Sequence, residues 1–423
     1  MTWERKPIGE LLQQLPNKKV VQQGWSPKCH THPAAQDNWG VLKTTAIQAG
    51  RFLPQHNKEL PEGLEPRPNI EVEVGDLLLT CAGPRARCGV PALVRATPGR
   101  LMMSGKMYRL RPDERLDSRF LELFLLSDEA QKRIDEMKTG ISDSGLNLTH
   151  GRFIRLQVPV PPLDEQRRIV AILEDHLSRL EAATTGLGLT AHRLASLELS
   201  LAAQATFGAA SNRVTLAEIS TLITDGDHNP PKRVASGVPH VTAKGITPDG
   251  LISLDAGTYV SEDGFLQTAK RYLPTPGDVI VTCVGTIGRV AVVPPGVRFS
   301  ADRNLAAVRL NHEIARPEYV EIALKSARIQ RFMQSASSST AQPHLYLRDL
   351  RRVEISVPSL TDQDQAVLWF KEAQEGFQRL RDAVALAQRR SAALRRSLLA
   401  AAFSGRLTGS STEMSEVSGT ITA

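Results

Sequence analysis

Apolar positions along this chain fall into two rhythms, and each rhythm occurs twice. DLLLTCAG (76–83) and DVIVTCVG (278–285) are short apolar runs, each opened by a Gly-Asp pair that signals a turn. They read as buried strands, and VAVVPPGV (290–297) continues the second as its hairpin partner. A helical rhythm follows: RFLELFLLSDEAQKRIDEM (119–137) and PEYVEIALKSARIQRFMQ (317–334) carry apolar residues three and four apart. Next come a polar loop, a strand that closes on proline, and a much longer helical stretch. Mixed strands and helices predict an α+β fold.

The long stretches keep a 3–4 alternation for more than four heptads. In the first it runs Ile169, Leu173, His176, Leu180, Ala183, Leu187, Thr190, Leu194, Leu197, Leu201. The second gives Phe370, Ala373, Phe377, Leu380, Val384, Ala387, Ser391, Leu394, Leu398, Ala401. That spacing predicts a coiled-coil seam with Leu173, Leu180, Leu187, Leu194, Phe377, Leu380, Leu394 and Leu398 in it. The alternative is two amphipathic helices, each packed on its own domain. Asp164 or Thr361 can cap the helix starts. Gly186 and Gly188 weaken the first helix by about 1 kcal/mol each, so a kink or a close approach is expected there. A helix of ~40 residues spans about 60 Å, more a ruler than a core element.

The doubling extends through the whole chain. VPVPPLDEQRRIV (158–170) lies over ISVPSLTDQDQAV (355–367), with Gln166 over Gln363 at an offset of 197. Upstream, FLELFLLS matches YVEIALKS at 199, GDLLLTCAG matches GDVIVTCVG at 202, and PIGEL matches TLAEI at 208. Downstream, Phe207 pairs with Phe403 at 196. The offsets fall steadily, as small loop deletions in the second copy would produce. The chain is thus a tandem duplication of a unit of about 200 residues, too long a period for a solenoid. Boundaries follow: a domain at 1–162, a helix at 163–208, a second domain at 209–360, a second helix at 361–407 and a flexible tail at 408–423. If the helices pair antiparallel, a pseudo-twofold axis relates the copies and the coiled coil holds the domains apart.

Composition adds a mild bias. Apolar residues make up 41%, and 52 Lys and Arg against 45 acids leave a charge of +7, which suits a polyanionic partner. Four scattered cysteines fit a reducing compartment better than a disulfide framework. The N-terminus has no signal-like apolar core, and no run approaches the ~18 apolar residues of a membrane span, so a soluble cytoplasmic protein is expected. Catalytic patterns are missing: neither a phosphate loop nor a dinucleotide fingerprint occurs. Cys29-His30-x-His32 lacks a second ligand pair, so no metal is expected. Asn229-Pro230-Pro231 is followed by Lys232, not by the aromatic residue that stacks a flipped base in adenine methyltransferases, and reads as a surface turn.

VPVPPLDEQRRIVAILEDHLSRLEAA resembles the central conserved region of type I restriction–modification specificity subunits, the HsdS family, and LLAAAFSGRL resembles the end of their second conserved helix. ITDGDHNPPKR is similar to a loop near the start of many of their target-recognition domains; the first copy has GWSPKCHTHPAA instead. The resemblance implies two target-recognition domains and a non-catalytic subunit that reads a split, asymmetric site on double-stranded DNA. It implies docking of two DNA adenine methyltransferase subunits and, in a nuclease complex, restriction/translocase subunits. S-adenosylmethionine and ATP would then belong to the partners, with no cofactor in this chain. A competing reading is a coiled-coil scaffold whose domains bind proteins.

Candidate DNA contacts come from residue type and position, since Arg and Lys suit guanine edges and Gln or Asn adenine edges. In the first domain they are Lys43, Arg51, Arg85, Arg87, Asn147 and His150. In the second they are Asp227, His228, Lys232, Lys244, Arg289, Gln342, His344 and Tyr346. Arg85 and Arg289 each follow a Gly-Asp strand at a similar distance, which favours them.

Overall fold

In the computed structural model, which describes residues 3–15, 19–207, 213–229, 231–255, 258–337 and 343–408, the two Gly-Asp pairs build one and the same turn. Gly75 and Gly277 take φ of +96° and +87°, a region open to glycine. The next residue closes the turn: Asp76 Oδ2 accepts from Glu73 N, and Asp278 Oδ2 from Thr275 N, both at 2.9 Å. Both acids are buried, and each holds an arginine at the end of the neighbouring strand. Arg111 Nε donates to Asp76 at 2.9 Å, and Arg309 grips Asp278 through Nε and Nη2, both at 2.8 Å. Burial raises the Asp278 carboxyl, but the bonds from Arg309, Thr275 and Tyr272 outweigh it and hold the group below the usual range.

The strands after these turns are apolar on both faces because each lies inside a sheet. The first sheet runs Gln22–Gln23, Met107–Leu110, Leu77–Thr80, Pro91–Leu93, all antiparallel. The second runs Ser220–Asp225, Leu305–Leu310, Val279–Thr282, Val290–Val292, also antiparallel, so the expected hairpin partner is present. A smaller layer repeats as well. Gly40–Leu42 pairs parallel with Leu101–Met102, and Val238–Val241 pairs parallel with Ser300–Ala301. Each domain closes by pairing its opening strand with its exit strand: Arg5–Pro7 with Gln157–Pro159, and Arg213–Thr215 with Glu354–Ser356. The fold is α+β in both copies.

The single helix predicted in each copy is two. Ser118–Leu125 and Asp128–Met137 break at Ser127, whose extended backbone and Oγ cap the second piece through Ala130 N at 3.2 Å. Pro317–Lys325 and Ala327–Ala336 break at Ser326. A glutamine secures each break. Gln131 Nε2 donates to Gly89 O and Leu125 O, and Gln330 Nε2 to Gly288 O and Leu324 O.

A second pair of glutamines explains the repeated helix start. Gln166 and Gln363 are fully buried. Gln166 Oε1 accepts from Asp117 N at 2.8 Å, while its Nε2 donates to Arg115 O at 2.9 Å and Pro161 O at 2.8 Å. Gln363 does the same with Arg316 N at 2.8 Å and with Ile314 O and Pro358 O, both at 2.9 Å. One side chain therefore joins the exit strand, the long helix and the start of the helix pair.

The long helices run Leu163–Phe207 and Leu360–Phe403. Thr361 does not cap: Ser359 Oγ accepts from Asp362 N at 3.2 Å, and Asp164 already lies inside the first helix. Gly186 and Gly188 lie inside the first helix without the expected close approach: a Cβ at either would meet nothing within 4 Å.

The chain divides into two compact units, Met1–Gly186 with Ala387–Ala423, and Leu187–Leu386. Within each, a stretch of one long helix runs antiparallel to a stretch of the other. In the first unit Thr184 Oγ1 meets Ser391 Oγ at 2.9 Å, and Thr408 bonds Glu165. In the second Arg381 Nη1 donates to Glu198 at 2.7 Å, and Ala202 shares a cluster with Val367 and Phe370. Leu173 and Leu194 are buried, while Leu180, Leu187, Phe377, Leu394 and Leu398 are partly so. Leu380, assigned to the seam, is 52% exposed, and Leu177 is buried where the alternation put His176. Near the first domain the helix is covered by that domain as well as by its partner. Its buried stripe, Gln166, Ile169, Val170, Leu173 and Leu177, is accordingly wider than an a/d seam.

The helix ends complete the cores. Leu399, Ala402 and Phe403 belong to the core of the first unit, where the Phe403 ring stands 5.4 Å from Phe120 and 5.3 Å from Phe124. In the second unit Tyr319, the counterpart of Phe120, donates its hydroxyl to Thr206 O at 3.1 Å and Ser356 O at 2.9 Å. Among the described residues no helix is long and apolar enough to cross a membrane.

Candidate nucleic-acid interface

One cysteine ends each central strand and ties three segments together. In the first domain Cys81 N donates to Lys106 O and Cys81 O accepts from Leu148 N, both at 2.8 Å. Cys283 repeats the arrangement with Asn304 O and Leu345 N, both at 2.9 Å. The loop before Met107–Leu110 or Leu305–Leu310, the end of the central strand and the segment before the exit strand thus form one edge in each domain.

Beside this edge in the first domain lies a cleft of about 350 Å³. Its walls carry Lys28, Lys43, Lys58 and Lys106, with Ser26, Cys29, Thr44 and Ser104 among them, and no carboxylate. None of the four lysines forms an ion pair among the described residues. Like charges gathered without counter-ions repel, and an anion in the cleft relieves that repulsion. Burial pushes the Cys29 thiol up, with Lys58 pulling it the other way, so the thiol is neutral near pH 7. The cleft is suited to holding an anion and lacks an activated nucleophile.

Of the residues picked from sequence, Lys43 is in the cleft; Lys28, Lys58 and Lys106 were missed. Asn147 is exposed between buried Leu146 and Leu148, on a strand paired with Thr139 and Ala82. Arg87 is half-buried in the adjoining loop. Arg85 is exposed and ion-paired: its Nη1 meets Asp135 at 2.6 Å and its Nε meets Asp143 at 3.1 Å. Those two acids raise its pKa and hold its Nη1 and Nε. Arg51 faces Glu181 of the long helix at 3.5 Å and does not join this edge. His150 stands edge-on to Tyr108 at 6.5 Å, with a buried Nε2 that has no partner among the described residues.

The loops that looked unrelated share an anchor. Gly24 in GWSPK and Gly226 in GDHNPPK cross the sheet edge at the same place, where a Cβ would overlap Met103 O or Ala301 O. In the second domain Asp227 accepts from Asn229 N at 2.9 Å, and His228 is exposed with Nε2 3.2 Å from Asp225. Arg271 bonds the same Asp225. Lys232 and Lys244 are exposed. His344 and Tyr346 stack at 4.4 Å, and Tyr346 remains 47% exposed. Gln342 lies outside the described residues.

Arg289 does not correspond to Arg85 in the repeat. Its Nη1 donates to Ile246 O at 2.9 Å and its backbone N to Thr282 Oγ1 at 2.9 Å. In the first domain Val90 N donates to Thr80 Oγ1 at 2.9 Å, so the counterpart of Arg289 is Val90 and not Arg85. Sequence reasoning also missed the exposed Arg233 and Arg303. Arg303 adjoins Asn304, which lies over Lys106 in the repeat, and that alignment is the signal that could have found both. Among the described residues no group of three or more His, Cys, Asp or Glu could hold a metal ion.

Residues 36–187 and 217–374 each match the family described as type I restriction modification DNA specificity domain. The specificity subunit of the type I restriction enzyme EcoEI from Escherichia coli is 34% identical over 190 residues, 43% of this chain and 31% of that protein. The EcoBI specificity subunit of the same species is 29% identical over 160 residues, 38% of this chain and 34% of that protein. The matched stretches thus span about a third of the length of these two relatives. A chain from a solved type I R-M system, described for its assembly and conformational transition, superposes with a TM-score of 0.71 at 20% identity, covering 96% of this chain and 98% of its own. The HsdS subunit from Thermoanaerobacter tengcongensis gives 0.50 at 19% identity, covering 96% and 97%. At these identities the likeness concerns the fold.

Proposed function

This chain belongs to the type I restriction modification DNA specificity family, and from that premise we propose that it is the DNA-reading subunit of a type I restriction–modification complex. Each domain reads one half of a split, asymmetric site on double-stranded DNA. The long helices set the gap and dock two DNA adenine methyltransferase subunits, with restriction/translocase subunits joining in a nuclease complex. The methyl donor S-adenosylmethionine and ATP belong to those partners, and the chain contributes no catalytic group of its own.

The observation that carries this reading is one backbone scaffold built twice with unlike faces. Identical sheet order and identical glutamine staples suit a common way of lying on a duplex. A four-lysine cleft in one copy, and a half-exposed His344–Tyr346 stack in the other, suit two different half-sites. Lysines in a cleft would grip phosphates and fix the register, while exposed Asn147, Arg303 and Tyr346 are available to base edges.

The test is methylome sequencing of cells expressing this chain with its methyltransferase partner. One asymmetric, interrupted motif is expected, and exchange of residues 209–357 should alter only one half of it. A continuous or palindromic motif, or a swap that alters both halves, overturns the proposal.

A further inference from the structure

The second domain contains a buried polar chain that the first lacks. Thr268, Ser300, His240 and Asp302 are each no more than 8% exposed. Thr268 Oγ1 lies 3.0 Å from Ser300 Oγ, Ser300 Oγ lies 3.0 Å from His240 Nδ1, and His240 Nε2 lies 3.4 Å from Asp302 Oδ2. The order Ser, His, acid is that of a hydrolase triad. Here, however, Ser300 is 1% exposed and its Oγ faces Thr268, so no substrate carbonyl can reach it.

Hydrogen-bond bookkeeping defines the chain. A carboxylate only accepts, so His240 Nε2–H must donate to Asp302. With neutral imidazole, Thr268 donates to Ser300 Oγ and Ser300 donates to Nδ1. With imidazolium, the direction reverses: Nδ1–H donates to Ser300, Ser300 to Thr268 and Thr268 to Phe265 O at 2.9 Å. Neither state leaves a buried donor orphaned, so the His240–Asp302 bond persists in both.

At its outer end the chain organises two loops. Asp302 Oδ1 accepts from Asn304 N at 2.9 Å, and Arg233 Nη2 lies 3.7 Å from Oδ2. Asp302 also bridges Asp227 through the backbone and donates its N–H to Val241 O at 2.9 Å. Burial pushes the Asp302 carboxyl up, but the bonds from His240 and Asn304 and the charges of His240 and Arg233 outweigh it and keep the group ionised. In the first domain the positions of His240 and Ser300 are filled by Gly40 and Leu101, which share the same parallel register.

We propose that His240 is a positioning residue for half-site reading: through Asp302 it fixes Arg233 together with the turn carrying Arg303 and Asn304, and so sets which bases the second domain accepts. This rests on the DNA-reading function proposed above.

The test is selection of randomised duplex DNA by the full chain and its variants, scored separately for the two half-sites. His240→Ala should lower base discrimination in one half-site by about tenfold, the scale of one lost bidentate contact, and leave the other half intact. His240→Gln, whose amide can still donate to Asp302, should restore most of it; a residue that only filled space would show no such difference. Should His240→Ala fail to fold, Ser300→Ala removes only the Nδ1 partner, and a smaller loss in the same half is expected. Unchanged discrimination in a folded variant, or equal loss in both halves, overturns the proposal. A wild-type chain that selects no split sequence overturns the DNA-reading function itself, and this inference with it.

Discussion

The two domains share a skeleton and differ in how they handle charge. In the first, four lysines from four separate segments line one cleft without a carboxylate. In the second, Arg233, Arg271 and Arg298 each meet an acid, Asp302, Asp225 and Glu262. What is common to both is backbone carpentry: the Gly-Asp turn, the threonine at the strand end, and two glutamine staples. Groups that satisfy buried backbone atoms resist change because each loss orphans a polar atom. Surface charges carry no such constraint. Under the proposed function the first domain acts as an electrostatic clamp, and the second as a pre-organised polar surface.

The comparison breaks most readily on salt. Replacing Lys28, Lys43, Lys58 and Lys106 with Gln should flatten the log–log salt dependence of DNA binding by roughly 0.9 for each lysine that meets a phosphate, and weaken low-salt affinity roughly a hundredfold or more. Arg233→Gln with Arg271→Gln should change the slope much less. Fluorescence anisotropy over a salt series checks this, and an unchanged slope in the lysine variant removes the clamp from the comparison. Next in size, Gln166→Ala and Gln363→Ala each strand three backbone partners and should each cost about 3 kcal/mol in denaturant unfolding. Markedly unequal costs would mean that the skeleton is not shared.

Acid sharpens the contrast further. Asp278 has a lowered carboxyl pKa, so its stabilisation is complete above the ordinary value near ~4 and is lost as pH falls through the lower folded value. Thermal unfolding of the wild type should fall steeply over that interval, and Asp278→Asn should flatten the fall while lowering stability at neutral pH. Equal steepness in both would contradict the assignment. The smallest effect should come from Tyr319→Phe, which removes one hydroxyl bonded to two carbonyls and should cost about 1 kcal/mol by calorimetry.

Much of the skeleton was legible in the sequence because periodicity and repetition report burial directly. The strands after Gly75 and Gly277, the long helices and the duplication could all be read from letters and offsets. The helix breaks could not, since the apolar period runs straight through Ser127 and Ser326. Nor could the task of Gln166, whose partners are carbonyl and amide groups common to every residue. Arg85 and Arg289 were wrongly paired because counting from the strand end ignores loop length; the hydroxyls of Thr80 and Thr282 set the true register. The lysine cleft escaped notice because each lysine, taken alone, resembles a solvated surface charge.

The helix ends that complete the cores impose an order on synthesis. The second unit, Leu187–Leu386, is continuous in the chain, whereas the first draws Leu399, Ala402 and Phe403 from beyond it. A ribosome making roughly 5–20 residues per second needs on the order of ten to sixty seconds to pass from Phe124 to Phe403. Throughout that time the first domain to leave the tunnel keeps Phe120 and Phe124 without their final ring partner, a surface open to chaperones. The domain translated first is thus the one finished last.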